Sequence, residues 1–380
     1  MLRKALPSLL LVAACGGSPP PPAPPPVNTP PPTPLAAVNP PPTTTATPPP
    51  AEPTEEEKKK AQAAKELADD KAKFEADQKA ELARWTPELH KEAQTLADKT
   101  FPTGKAAIQA AMAGHQRMPG HADRDKYRHP AETLDFFGFK PTMNVLEIGP
   151  GDGWYTELLA PALAKKGKLF ATSPDPNGPP DARGTFYGQR WKAILDRSPE
   201  AYGKVQTVIV DGKDPKLNMD GTLDMVLIMR GVHGMVNGDK FGQWLGEIQK
   251  ALKPNGVLGI EEHRAKADDD PKASSKKGYV PEKYVIDQVE AAGFKLAGKN
   301  EVNANPKDTK DYAEGVWTLP PTLTLKDKDR DKYMAIGESD RMTLKFVKVA
   351  PKAAPAAPKA ATPPAAGTAA PAAPATPPKK

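Results

Sequence analysis

The chain has 380 residues, a net charge of +6, one cysteine and 47 prolines, and only 6% of its residues are aromatic. One cysteine excludes a disulfide framework and a cysteine-rich zinc site. The small basic excess is scattered among acidic residues, so we expect no nucleic-acid partner.

The first fourteen residues predict a targeting signal. Arg3 and Lys4 precede an apolar run, residues 5–14, that is too short to span a bilayer. The sequence Val12-Ala13-Ala14-Cys15 resembles the lipobox of bacterial lipoproteins, in which the signal is cut before the cysteine and the cysteine is lipidated. The resemblance implies anchoring in a membrane of the cell envelope through Cys15. The alternatives are an ordinary cleavable signal, giving a secreted or periplasmic protein, or a chance match, leaving a cytoplasmic one.

The prolines set the predicted domain organisation. Residues 18–54 contain 18 of them and residues 351–380 contain nine. Such runs form extended spacers and have no core to bury. We therefore predict a signal peptide (1–14), a proline-rich tether (15–54), a charged helical segment (55–100), a folded domain (101–350) and a disordered tail (351–380). Within the helical segment, residues 55–84 alternate acidic and basic blocks with a thin apolar stripe, which predicts a solvent-exposed helix.

From residue 141 onward, apolar strand-like runs alternate with helical patterns. Strands are predicted at 143–148, 168–172, 205–210, 223–229, 257–261, 294–297 and 342–349, and helices at 154–165, 241–252 and 281–292. Strands that are separated by helices pair in parallel through right-handed crossovers. The pattern predicts an α/β domain with a mostly parallel sheet.

The turn after the first strand carries the strongest chemical signal. Residues 147–153 read Glu-Ile-Gly-Pro-Gly-Asp-Gly, where bare backbone lets a ligand approach and the amides of the next helix face it. A dinucleotide site prefers glycine at the sixth position of G-x-G-x-x-G, and that position is Trp154. A dehydrogenase is therefore disfavoured.

The stretch 145–153 resembles the first motif of class I S-adenosylmethionine-dependent methyltransferases. The likeness covers about residues 120–349, and Gly149 to Pro161 matches the pattern G-P-G-x-G-W-Y-T-x-x-L-A-P of a bacterial family of predicted methyltransferases. It implies a Rossmann-like, doubly wound sheet of seven strands in the order 3-2-1-4-5-7-6, with strand 7 antiparallel. It also implies S-adenosylmethionine as the cofactor and methyl transfer to an acceptor that the sequence does not identify.

The resemblance assigns roles to single positions. Glu147 is expected to accept from the ammonium group of the cofactor, while Gly149, Gly151 and Gly153 leave room for its chain. The ribose contact falls to Ser173 or Asp175, because the usual acid at the end of the second strand is missing. Asp211, after the third strand, is expected near the adenine amine. Ahead of the first strand, Arg128 or Tyr127 is placed to reach the cofactor's carboxylate or to form an ordinary ion pair.

Two histidines are the catalytic candidates. His233 follows the fourth strand and His263 follows the fifth, where ligands bind in an open parallel sheet. Imidazole titrates near neutrality, so either histidine could act as a general base when the methyl acceptor must lose a proton. A merely hydrogen-bonded role is the alternative. Together with Glu262 they also suit a metal, but no tight ligand spacing supports one, so none is predicted.

Two further expectations complete the sequence-based hypothesis. The loops 264–280 and 303–340 are the predicted site of acceptor recognition. Since S-adenosylmethionine is made in the cytoplasm and the signal directs the chain out of it, the alternative function is a non-catalytic, envelope-tethered binding protein that retains the fold.

Overall fold

The computed structural model describes residues 54–349. The predicted signal peptide, lipidated Cys15, proline-rich tether and C-terminal tail therefore lie outside the described residues. Within the described part of the chain, no helix has the length and apolar character needed to cross a bilayer.

The centre of the fold is a single seven-stranded sheet. Its order is β3-β2-β1-β4-β5-β7-β6, with β7 antiparallel to both of its neighbours. This confirms the predicted Rossmann-like, doubly wound α/β architecture. The strands are β1 Asn144–Ile148, β2 Lys168–Ser173, β3 Gln206–Ile209, β4 Leu223–Met229, β5 Leu252–His263, β6 Phe294–Asn300 and β7 Arg341–Lys348.

Helices precede the sheet, connect its strands and cover both faces. They are α1 Glu55–Arg84, α2 Pro87–Ala97, α3 Gly104–Met112, α4 Asp125–Arg128, α5 Pro130–Phe137, α6 Thr156–Leu163, α7 Arg183–Asp196, α8 Pro199–Tyr202, α9 Val232–Asn237, α10 Phe241–Ala251, α11 Pro271–Ser275, α12 Glu282–Ala291 and α13 Arg330–Ile336. Two 3-10 turns, Ala122–Arg124 and Gly315–Thr318, complete the set among the described residues.

The sheet buries apolar side chains on both faces. Leu146 of β1 belongs to one buried cluster with α10 and α12, whereas its neighbour Val145 belongs to the opposite cluster with α3, α5 and α6. Successive strand residues point to opposite faces, so a central parallel strand must be apolar on both. This explains why β1 and β4 are mostly apolar on both faces.

Some predicted boundaries are wrong. The helix predicted at 154–165 begins at Thr156, because the preceding residues form the turn after β1, and it continues through Pro161 to Leu163. The helix predicted at 241–252 ends at Ala251, and the strand predicted at 257–261 is longer, because β5 runs from Leu252 to His263. The segments 264–280 and 303–340 contain short helices, and the sequence pattern missed α7 altogether.

The charged helix α1 is present where it was predicted. Its buried residues are Leu67 and Glu81, so most of its surface faces solvent. It packs on α7 through Phe74 and Phe186, whose ring centres lie 5.9 Å apart in an edge-on arrangement. Because α7 follows β2, the packing of α1 supports one side of the site described next.

Candidate functional site

The glycine-rich turn connects β1 to α6 at the carboxyl edge of the sheet. Gly149, Gly151 and Gly153 all have positive φ, at 65°, 59° and 78°, a conformation that side-chain-bearing residues rarely adopt. The Gly149 amide donates to Thr172 Oγ1 at 2.9 Å, which ties the turn to the end of β2. Local sequence thus dictates the shape of this turn.

The turn faces open space. A Cβ atom placed on Gly149 or Gly151 meets no atom of the described chain within 4 Å beyond the adjacent residues. A cavity of about 340 Å³ adjoins it. Its lining residues are Gly149, Pro150, Gly151, Asp152, Thr172, Ser173, Pro174, Tyr187, Arg190 and Trp191. The chain runs from β1 to β2 and β3 on one side of β1 and then crosses back to β4 on its other side. Open α/β sheets bind ligands at the carboxyl edge where the strand order reverses in this way.

Glu147 lies in β1, two residues before Gly149; its carboxylate is buried and is not among the groups that line the cavity. It is 3% exposed, and its Oε2 accepts a hydrogen bond from Thr156 Oγ1 at 2.6 Å. Burial raises the pKa of Glu147 to about 7, although the Thr156 hydroxyl and the Arg230 charge oppose the rise. A cation brought next to this carboxyl group would favour its ionised form.

The two predicted aspartates are not among the residues that line this cavity. Both are exposed. Asp175 Oδ1 accepts from the Asn177 amide and Asp211 Oδ1 from the Lys213 amide, each at 2.8 Å, so both cap local turns. Between the two alternatives at the end of β2, only Ser173 lines the cavity, and its hydroxyl donates to the Pro174 carbonyl at 2.9 Å.

Helix α7 supplies a cavity wall that sequence reasoning missed. Tyr187 is 45% exposed, whereas Trp191 is buried and donates its Nε1–H to Thr207 Oγ1 at 2.9 Å. Arg190 forms an ion pair with Asp152 of the glycine turn. A Cβ on Gly188 would lie 2.6 Å from the Pro174 carbonyl oxygen, so glycine permits the close approach of α7 to the β2 end. The signal in the sequence that could have indicated this helix is the pair Tyr187 and Trp191, which lie four residues apart and therefore on one helical face.

The predicted catalytic histidines form a second cluster at the ends of β4 and β5. His233 Nδ1 lies 3.0 Å from Glu262 Oε1, and the two histidine ring centres are 5.7 Å apart. Atoms of His233, Glu262 and His263 that are able to bind a metal all lie within 4.8 Å of one another. Sequence spacing gave no sign of such a grouping, because it arises from the pairing of β4 with β5.

The surroundings hold the two imidazoles in different states. His263 Nδ1 lies 2.5 Å from Ser339 Oγ. Burial, with help from the charges of His233, Arg341 and Arg230, lowers the pKa of His263 well below its usual value. Burial also acts to lower the pKa of His233, but the Glu262 carboxylate outweighs burial and raises it. His263 is therefore the neutral member of the pair.

A buried ion-pair network supports the histidine cluster. Glu261 accepts from the Tyr155 hydroxyl at 2.9 Å, and it pairs with Arg230 at 3.2 Å and with Arg341 at 3.1 Å. Arg341 also pairs with Glu338 at 2.6 Å. Arg230 has a φ of 58°, a strained value for a non-glycine residue, at the very end of β4.

The tryptophan of the turn motif points away from the cavity. Trp154 is 4% exposed and donates its Nε1–H to the His121 carbonyl at 2.9 Å. The Arg128 guanidinium lies 4.7 Å from its ring centre and pairs with Glu338 at 3.0 Å. Of the two roles expected for Arg128, the structure shows the ion pair, and it is a buried one.

Comparisons with known proteins give fold likenesses alone. No family model and no curated protein matches the chain. Similar solved structures include a SAM-dependent methyltransferase from Aquifex aeolicus, 19% identical over 60% of this chain and 93% of that one, with a TM-score of 0.38. Another is the Burkholderia thailandensis 1,6-didemethyltoxoflavin-N1-methyltransferase with bound 1,6-didemethyltoxoflavin and S-adenosylhomocysteine. It is 17% identical over 59% of this chain and 78% of that one, with a TM-score of 0.35. A third is the [4+2]-cyclase SpnF, which is 15% identical over 65% of this chain and 97% of that one, with a TM-score of 0.42. These likenesses assign no activity or ligand to the chain.

Proposed function

We propose that the protein is a class I S-adenosylmethionine-dependent methyltransferase that acts on an acceptor still to be identified. The observation that carries the proposal is the open glycine turn at the switch point of the sheet. Two of its glycines, Gly149 and Gly151, face open space beside a cavity, and the strand that leads into the turn carries a buried carboxyl group, that of Glu147. The motif resemblance supplies the identity of the cofactor.

The residues around the turn suit such a cofactor. Glu147 would accept from the ammonium group, and the backbone of residues 149–153 would lie along the methionine chain. The nucleoside would lie against Ser173, Tyr187 and Trp191, which line the cavity. This arrangement favours Ser173 over Asp175 as the ribose contact, and it leaves Asp211 outside the first contacts because Asp211 does not line the cavity.

When bound, the cofactor would supply a methyl group on a sulfonium: a nucleophilic atom of the acceptor would bond to the methyl carbon in line with the breaking carbon–sulfur bond, and S-adenosylhomocysteine would leave. The protein's contribution is then mostly alignment in a site shielded from water. We propose His233 and His263 as catalytic residues on the acceptor side. The charge of Arg230 acts to lower the pKa of both Glu147 and His233, so it links the two regions electrostatically.

Calorimetric titration of the full chain with S-adenosylmethionine and S-adenosylhomocysteine tests the proposal. We expect both to bind, and we expect Gly151→Val to abolish binding, because the new side chain occupies the ligand's space and strains the turn. Gly120→Val is the matched control: Gly120 also has positive φ (79°) and open space, but it lies outside the cavity. Unchanged cofactor binding in Gly151→Val would contradict the assignment of this cavity as the cofactor site.

The acceptor side needs its own assay. An extract of metabolites and proteins is incubated with the full chain and methyl-labelled cofactor, and labelled products are identified. His263→Ala should lower the rate of label transfer at least tenfold while cofactor affinity stays within twofold of wild type, as expected for a residue that touches the acceptor. An unchanged transfer rate in both His263→Ala and His233→Ala would remove the catalytic assignment.

We further propose that the protein is anchored in the cell envelope through a lipidated Cys15, in keeping with the lipobox-like sequence and the proline-rich segment after it. Palmitate labelling in cells should mark the wild-type chain and not Cys15→Ala. Equal labelling of the two chains, or labelling of neither, contradicts the anchor and leaves the cofactor proposal untouched.

A further inference from the structure

We propose that His233, Glu262 and His263 bind one divalent transition-metal ion, with Zn²⁺ as the reference case. The three side chains come from the start of α9 and the end of β5, and their candidate donor atoms lie within 4.8 Å of one another. Metal–ligand bonds of about 2.0–2.2 Å hold neighbouring donors roughly 3–3.5 Å apart. His233 Nδ1 and Glu262 Oε1 already lie 3.0 Å apart.

The donor set selects the class of metal. Two imidazoles and one carboxylate suit zinc and neighbouring transition ions, whereas magnesium and calcium prefer oxygen ligands throughout. Three protein ligands also leave a coordination position open. The ligand set is therefore typical of an open metal site, in which an oxygen or nitrogen atom from outside the protein completes the coordination. It is less typical of a closed structural site.

The ligands are held by groups outside the site, as metal ligands usually are. Glu262 Oε2 accepts from the Val232 amide at 2.5 Å and from the His233 amide at 3.2 Å. Its Oε1 accepts from the His263 amide at 2.9 Å and lies 3.0 Å from the His233 ring nitrogen Nδ1. Ser339 Oγ contacts Nδ1 of His263, so Nε2 is the free ring nitrogen of that residue. The backbone and Ser339 thus fix the positions of the carboxylate and of one imidazole.

The site is accessible and electrostatically balanced. Glu262 is fully buried, but the His233 side chain is 20% exposed and His263 is partly exposed, so an ion has a path. Aromatic rings flank the histidines: Trp317 lies 6.1 Å from His233 and Tyr279 lies 6.3 Å from His263. The nearby cations Arg230 and Arg341 are paired with Glu261, which moderates their repulsion of a metal.

A metal here would have an open coordination position that an oxygen or nitrogen atom of the methyl acceptor could occupy. That use rests on the proposed methyl transfer, whereas metal binding itself does not. The two are tested separately, because cofactor affinity is measured on metal-free protein.

The experiment titrates chelator-treated full chain carrying Cys15→Ser with Zn²⁺ by calorimetry and with Co²⁺ by visible absorption. Cys15 is replaced because a thiol binds both metals. We expect one equivalent to bind, and at least tenfold weaker binding in His233→Ala and in His263→Ala. Ser339→Ala should weaken binding about tenfold by releasing the His263 ring. His115→Ala is the control, since His115 also lies next to a carboxylate, Glu92, at 2.8 Å, but residues 54–349 place no third metal-binding group beside them.

Two results would overturn the proposed metal site. One is wild-type protein that binds no Zn²⁺; another is a double variant, His233→Ala with His263→Ala, that binds as tightly as wild type. Either would show that the cluster is only a hydrogen-bonded His–Glu pair. Cofactor affinity and thermal unfolding of each variant confirm that it is folded, and His263→Gln replaces His263→Ala should the latter fail to fold.

Discussion

The two regions at the carboxyl edge of the sheet are built in opposite ways. The glycine turn is a feature of consecutive backbone, residues 149–153, with φ angles that glycine permits. The histidine cluster is a feature of side chains from distant segments, residues 233, 262, 263 and 339. A backbone site depends on a few local residues, whereas a side-chain site depends on the tertiary structure that brings its parts together.

The largest effect, on the free energy of unfolding, should come from removing one member of the buried ion-pair network that supports the histidine cluster. Arg341 is 1% exposed and pairs with Glu261 and Glu338. Arg341→Met leaves two buried carboxylates short of a partner, so we expect the free energy of unfolding to fall by about 3 kcal/mol. Urea denaturation measures it. Lys283→Met, at an exposed helical pair with Asp287, is the control and should change stability by less than about 0.5 kcal/mol. Equal losses in both would contradict the dependence of this region on the buried network.

A smaller effect is expected at the cavity wall. Tyr187 is exposed and lines the cavity beside the turn. Tyr187→Ala removes an aromatic surface for the nucleoside, and we expect S-adenosylhomocysteine to bind about tenfold more weakly. Met334→Ala, an equally exposed residue that does not line this cavity, should leave the affinity unchanged. Wild-type affinity in Tyr187→Ala would place the nucleoside elsewhere.

The pH dependence of cofactor binding sharpens the role of Glu147. Its raised pKa, about 7, means that the free protein carries a proton on this group below neutrality. An ammonium ligand prefers the ionised carboxylate, so affinity should increase as pH rises through 7, with release of a proton. Glu147→Gln should bind about tenfold more weakly at pH 8 and lose this dependence. Calorimetry in buffers of different ionisation enthalpy measures both, and an unchanged pH profile in the variant contradicts the assignment.

The smallest effect is expected at the two solvent-facing aspartates. Asp175 and Asp211 hold local turns and do not line the cavity. Asp175→Asn and Asp211→Asn should therefore change cofactor affinity less than twofold. A tenfold loss in either would show that the aspartate turns into the cavity when the ligand binds.

The strands and the turn were predictable because their signals are local, whereas the order of the strands in the sheet was implied by the family resemblance. Apolar runs such as residues 143–148 and 223–229 mark buried parallel strands, and the glycines mark the turn. The wall made by α7 was not found, because Tyr187 and Trp191 lie in a segment without a continuous apolar stripe. The contact between His263 and Ser339 joins residues 76 positions apart, and periodicity carries no information about such a contact.

The most direct test of the account is a crystal structure of the full chain with S-adenosylhomocysteine. The account predicts ligand density along residues 149–153, the amino group at Glu147 and the nucleoside between Ser173 and Tyr187. Density at another place, or an empty cavity in protein that binds the ligand in solution, would contradict it.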